Sequence, residues 1–139
     1  MPFNTGDIVM SSEDSQVPTH RMYIVDDIID SEEGPEYTCF VMSSNISKAN
    51  LNNKKYPGNI LIKNYGSTIS KGSTPPKDII IKIDYPITIH HDEISDTNAR
   101  KGVVNDLFKK FISAVYLKYQ NGLDTSKDYW DDGVPVIRK

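Results

Sequence analysis

The sequence predicts a mainly β fold with a C-terminal α-helix, built as one small barrel domain. Three observations carry this. Short apolar runs rich in Ile, Val, Tyr and Phe recur through residues 6–90, separated by Gly, Pro, Asn and Asp, the residues that end strands and make turns. From residue 103 the apolar positions change to steps of three and four, the period of a helix. The chain has 139 residues and shows neither an internal repeat nor a composition shift, so one core is expected rather than two.

The first strand is Gly6-Asp7-Ile8-Val9-Met10, followed by a polar loop over residues 11–19. Arg21-Met22-Tyr23-Ile24-Val25 opens the second strand, extending toward Ile29, where an acidic turn closes on Gly34-Pro35. The third strand, Tyr37-Thr38-Cys39-Phe40-Val41-Met42, is unbroken in its apolar character, which predicts burial on both faces. Residues 43–57 are polar and read as a long loop. Gly58-Asn59-Ile60-Leu61-Ile62 is the fourth strand, and residues 65–76, with Gly66, Gly72 and Pro75-Pro76, form a second loop. Asp78–Ile83 and Ile87–His90 are the fifth and sixth strands, with a bend or bulge at Pro86, whose nitrogen has no hydrogen to give a ladder.

The helix is expected from about Thr97, capped by Asp96 or Thr97. Its apolar stripe runs through Val103, Val104, Leu107, Phe108, Phe111, Ile112, Val115 and Tyr116. Asn121-Gly122 is its stop, and Gly102 weakens its first turns. Residues 1–122 form the barrel and helix in this reading. Residues 123–139 are a tail, docked or partly disordered, in which Tyr129 and Trp130 either pack on the barrel or anchor a partner.

Composition limits function. A net charge of −3 and a pI near 5.5 argue against a strong nonspecific nucleic-acid binder, though the total says little about one cleft. No apolar run approaches the roughly 20 residues of a membrane span. The first ten residues lack the pattern of a secretory signal, and the single cysteine, Cys39, lies in an apolar run. These features predict a cytoplasmic protein with no membrane contact. Three histidines without HxH or HExxH spacing predict no zinc site, and no P-loop, GxGxxG or GxSxG is present. Neither metal nor cofactor is expected.

Three segments carry a resemblance. They are Gly6-Asp7-Ile8-Val9, the strand start at Arg21, and Phe40-Val41-Met42-Ser43-Ser44-Asn45-Ile46-Ser47-Lys48 followed by Tyr56-Pro57-Gly58-Asn59-Ile60-Leu61-Ile62. In this order and separation the chain resembles the MazF/PemK family of toxin ribonucleases over about its first 120 residues. The resemblance implies an SH3-like barrel, usually a homodimer. It implies metal-independent cleavage of single-stranded RNA through a 2′,3′-cyclic phosphate, and neutralisation by a cognate antitoxin peptide. The family's arginine at the start of the second strand matches Arg21, and its hydroxyl at the end of the third matches Ser43, or Ser44 if the register slips by one.

Those residue types suit the chemistry. A guanidinium stays charged and grips two phosphate oxygens, and a serine hydroxyl donates to a nonbridging oxygen. His20 titrates near neutrality and is the candidate base; His90 or His91 is a further candidate, reaching in from the last strand. Lys54 and Lys55 would track an RNA backbone, and Tyr56 would stack on a base. The alternative is an inactive barrel of the same type, serving as a protein- or nucleic-acid-binding module, for example a mobile-element or phage protein that captures a host factor.

Overall fold

A computed structural model describes residues 3–12, 15–17, 22–44, 46, 56–71, 77–94 and 100–138. Among the described residues nine strands form one sheet: β1 (Asp7–Met10), β2 (Met22–Ile29), β3 (Glu36–Ser43), β4 (Asn59–Lys63), β5 (Ile69–Lys71), β6 (Ile79–His90), β7 (Arg100–Val104), β8 (Tyr129–Asp131) and β9 (Val134–Val136). Their order is β5-β7-β1-β2-β3-β6-β4-β8-β9. The sheet curls into a half-barrel, and helix α1 (Asp106–Gln120) packs within it.

Alternation along the strands makes two cores. Ile8, Ile24, Phe40, Met42, Ile60 and Ile81 point to one face and meet Phe108, Phe111, Ile112 and Val115 of α1. Val9, Tyr23, Val25, Tyr37, Cys39 and Val41 point to the other face and are covered by Phe3 and Ile94. Strand β3 serves both cores, which is why its apolar run is unbroken. Burial pushes the Cys39 thiol up to about 12, with a smaller push from the Asp26 carboxylate. Because only the thiolate reacts, Ellman's reagent at pH 8 should leave Cys39 unlabelled in the native protein and label it fully in denaturant.

Among the described residues four pairings shift register, and two of those shifts lie along β3. Val25 pairs with Cys39 and Asp27 with Thr38, so Asp26 has no partner across the ladder and forms a bulge. In β6, Ile87 pairs with Cys39 and Lys82 with Val41. Residues 83–86 therefore stand out of the ladder opposite Phe40 alone. This is the irregularity expected at Pro86, and it leaves the two expected strands as a single bent one.

The helix begins later than its periodicity suggests. The stretch Arg100–Val104 is a strand, paired with β1 through Asp7–Val103 and Ile8–Gly102. Consecutive valines fit either a buried strand or the apolar side of a helix, and buried Gly102 belongs to the strand. The caps expected at Asp96 or Thr97 lie outside the described residues. The cap observed is Asn105, whose side chain accepts from Phe108 N at 2.8 Å and donates to Ser67 O at 3.1 Å. Replacing Asn105 with alanine should cost about 1–2 kcal/mol in urea unfolding. The helix stops at Asn121, and Gly122 follows at φ +75°, a left-handed conformation that glycine adopts without strain. Residues 65–71, read as loop, hold a 3-10 turn (Tyr65–Thr68) and the short β5.

Residues 129–136 extend the sheet. Strand β8 runs parallel to β4, with Trp130 beside Ile62, and β9 folds back on β8. Trp130 is fully buried. Its ring sits edge-on to Phe108 at 4.9 Å and lies 5.6 Å from Phe111, and its Nε1 donates to Ser67 Oγ at 2.7 Å. This ring is a core plug, not an exposed anchor. No helix among the described residues is long and apolar enough to cross a membrane.

Candidate nucleic-acid interface

The start of β2 and the end of β3 share one corner of the sheet. Met22, which follows Arg21 in sequence, pairs with Met42. Ser43 is the last residue of β3 and pairs with Ile80 of β6. It is half-buried, whereas Ser44 is exposed. His20, Arg21, Lys54 and Lys55 lie outside the described residues.

Ser43 follows Val41 by two residues, so both face the same side of the sheet, roughly 7 Å apart along the strand. On that side Val41 lines a cavity of about 320 Å³ with Tyr23, Tyr56, Asn59, Lys82, Asp84, Tyr85 and Ile87. The ladder explains the grouping: Tyr23 pairs with Val41, Val41 with Lys82, and Lys82 with Asn59. Paired residues share a face. The bulge in β6 then swings Tyr85 to the rim, where it is 70% exposed. Asp84 folds against Gly58 so closely that a Cβ there would come within 2.2 Å of its Cγ, so this wall requires glycine. Of the expected nucleic-acid-binding residues, Tyr56 is described, half-buried at this cavity.

The two described histidines are elsewhere. His90 pairs with Glu36, at the opposite end of β3 from Ser43, about 23 Å away at the rise of a strand. It caps a short 3-10 turn, accepting from Asp92 N at 3.2 Å, and its Nε2 contacts Glu33 O at 2.9 Å. His91 Nδ1 meets Tyr37 Oη at 3.0 Å, and that oxygen accepts from Phe3 N at 3.0 Å. Both imidazoles join the β3 start to the 3-10 turn. Neither reaches the Ser43 corner from the last strand.

A larger cavity, about 520 Å³, opens on the helix side of the sheet between the β2 bulge and α1, bordered by Asp26, Phe40, Lys109 and Lys110. Burial raises the Asp26 carboxyl pKa, with a further push from Asp27. No group of three or more His, Cys, Asp or Glu side chains placed to hold a metal ion occurs among the described residues.

No protein-family model and no curated protein matches the chain.

Sequence reasoning missed Asn59, Lys82, Asp84 and Tyr85. The polar break Asp84-Tyr85-Pro86 between two isoleucine-rich runs was the available signal. The register that carries Lys82 beside Asn59 and Val41 was not.

Proposed function

We propose that the protein is a metal-independent endoribonuclease of the MazF/PemK kind, cutting single-stranded RNA where β2 begins and β3 ends. The observation that carries this reading is the pairing of Met22 with Met42, which brings the strand following Arg21 beside the strand that ends in Ser43. A cavity lined by three tyrosines, an asparagine, a lysine and an aspartate adjoins that corner; its aromatic rings suit bases and its lysine suits a phosphate.

In this reading the RNA's own 2′-oxygen attacks the adjacent phosphorus as the P–O5′ bond breaks, the 5′-oxygen leaves as an alcohol with a proton taken from water, and a 2′,3′-cyclic phosphate remains. Ser43 Oγ donates to a nonbridging oxygen as negative charge builds there, and the Arg21 guanidinium neutralises it. His20 takes the 2′ proton; among the described residues Asp84 is the carboxylate beside the same cavity. Tyr56 and Tyr85 stack on bases, while Lys82, Lys54 and Lys55 follow the backbone. An SH3-like barrel, a homodimer, a cytoplasmic location and an antitoxin peptide laid in the cleft belong to the same reading.

The test is kinetic. Ser43→Ala should lower kcat on RNA about 10²–10³-fold and leave the melting temperature near wild type, since the hydroxyl lies at a strand end. Unchanged kcat would remove Ser43 from the site.

A second reading has one observation in its favour. Both described histidines are held at the far end of β3, so no imidazole among the described residues stands at the corner. The same face would then bind single-stranded RNA without cutting it.

A further inference from the structure

We infer that the C-terminal hairpin adds a second phosphate-binding subsite to the proposed RNA site, along the same face of the sheet. The inference rests on the RNA reading above and extends it.

A second cavity, about 390 Å³, adjoins the first and shares Asn59 with it; Leu61, Tyr129, Lys127 and Arg138 are among its other walls. The ladder makes the two continuous. Val41 pairs with Lys82, Lys82 with Asn59, and Leu61, two residues along β4, pairs with Tyr129 of β8. Three inter-strand steps separate β3 from β8, about 14 Å in all. That is a path for a strand of a few nucleotides leaving the Ser43 corner, not a separate site.

The charges along the path suit a polyanion. Asp128 is the hairpin's buried carboxylate, and it is fully engaged. Lys118 Nζ donates to both its oxygens, at 3.1 and 2.9 Å, and Arg138 N donates at 2.8 Å. The buried carboxylate is therefore neutralised by a lysine from the helix, and the side chains of Lys127 and Arg138 remain exposed. Neither forms an ion pair among the described residues. Three exposed acids lie along or beside the path: Asp84 lines the first cavity, Asp131 pairs across the ladder with Lys63, and Asp124 feels the charge of Lys127 and accepts from Ser126 N at 2.9 Å. Tyr129 lines the same cavity as the two cations and offers a half-buried ring, with Lys63 Nζ 5.4 Å from its centre. Cations spaced around an aromatic platform are the arrangement that holds a single strand without reading its sequence.

The test uses the full chain and fluorescently labelled 2′-O-methyl RNA of mixed sequence, which lacks the attacking hydroxyl. Two lengths are compared, about 4 and about 16 nucleotides. The variant is K127A/R138A, with Lys110→Ala, on the helix side of the sheet, as the control for loss of a surface charge. The double variant should bind the long RNA at least tenfold more weakly than wild type, with the short RNA unaffected. Its plot of log affinity against log salt should be shallower by about 1.4, the share of two phosphate contacts on a single strand. Unchanged affinity and slope for the long RNA would overturn the subsite and leave the RNA reading standing. If wild type binds neither length at physiological salt, the RNA reading fails and the subsite with it. Should K127A/R138A melt early, K127Q/R138Q, which keeps most of each aliphatic stem, repeats the comparison.

Discussion

Trp130→Ala should destabilise the protein by about 3–5 kcal/mol, the usual cost of emptying a buried aromatic site. The ring is fully buried between Phe108 and Phe111, and its Nε1 is satisfied by Ser67 Oγ. Alanine leaves a cavity under α1, strips Ser67 of its donor and loosens β8 from β4. Trp130→Phe should cost less, because most of the volume stays while the hydrogen bond goes. Urea unfolding followed by circular dichroism measures both. A loss below about 1 kcal/mol for alanine would mean that the hairpin does not close this core. The chain has one tryptophan, so its fluorescence reports the same docking: emission should be blue-shifted in the native protein and move to the red on unfolding.

Asp128→Ala should be comparably severe. The carboxylate is inaccessible to solvent and Lys118 is nearly so. Removing the carboxylate takes from the largely buried lysine the partner that two of its hydrogen bonds reach, a loss of about 3–5 kcal/mol. Arg138 N loses its acceptor as well, although Lys118 Nζ keeps a second contact to the Arg138 carbonyl. Lys118→Met/Asp128→Leu, which removes both charges and keeps apolar bulk, should recover much of that loss. If the single Asp128 variant unfolds at the same urea concentration as wild type, the pair does not hold the hairpin to the helix. Domain stability is typically only 5–15 kcal/mol, so either single substitution threatens the folded state.

Much of the framework was legible in the sequence for identifiable reasons. The run from Tyr37 to Met42 is apolar throughout because β3 lies between two cores. Pro86 marked the break in β6, and Asn121-Gly122 marked the end of α1. Elsewhere local pattern failed because tertiary pairing decided. Gly102-Val103-Val104 continues the helical period on paper, yet β1 recruits it as a strand. Tyr129-Trp130 had two readings, and only the packing of Phe108 and Phe111 around the indole chose between them.

The candidate site divides the same way. Ser43 and Tyr56 were visible as a strand-end hydroxyl and a loop aromatic. Lys82, Asp84, Tyr85 and Asn59 were not, because they reach the corner through the register of β6 with β3 and β4. The candidate histidines His90 and His91 looked available in sequence. Register separated them from Ser43 by the length of β3.

The most direct measurement is incubation of the purified wild-type chain with a long, mixed-sequence single-stranded RNA in EDTA, with the new 3′ ends analysed by mass spectrometry. Cuts are expected at a few short sequences, each leaving a 2′,3′-cyclic phosphate, with no such cuts by Arg21→Ala or Ser43→Ala. Intact RNA after incubation with wild-type protein shown to be folded by circular dichroism would contradict the endoribonuclease reading.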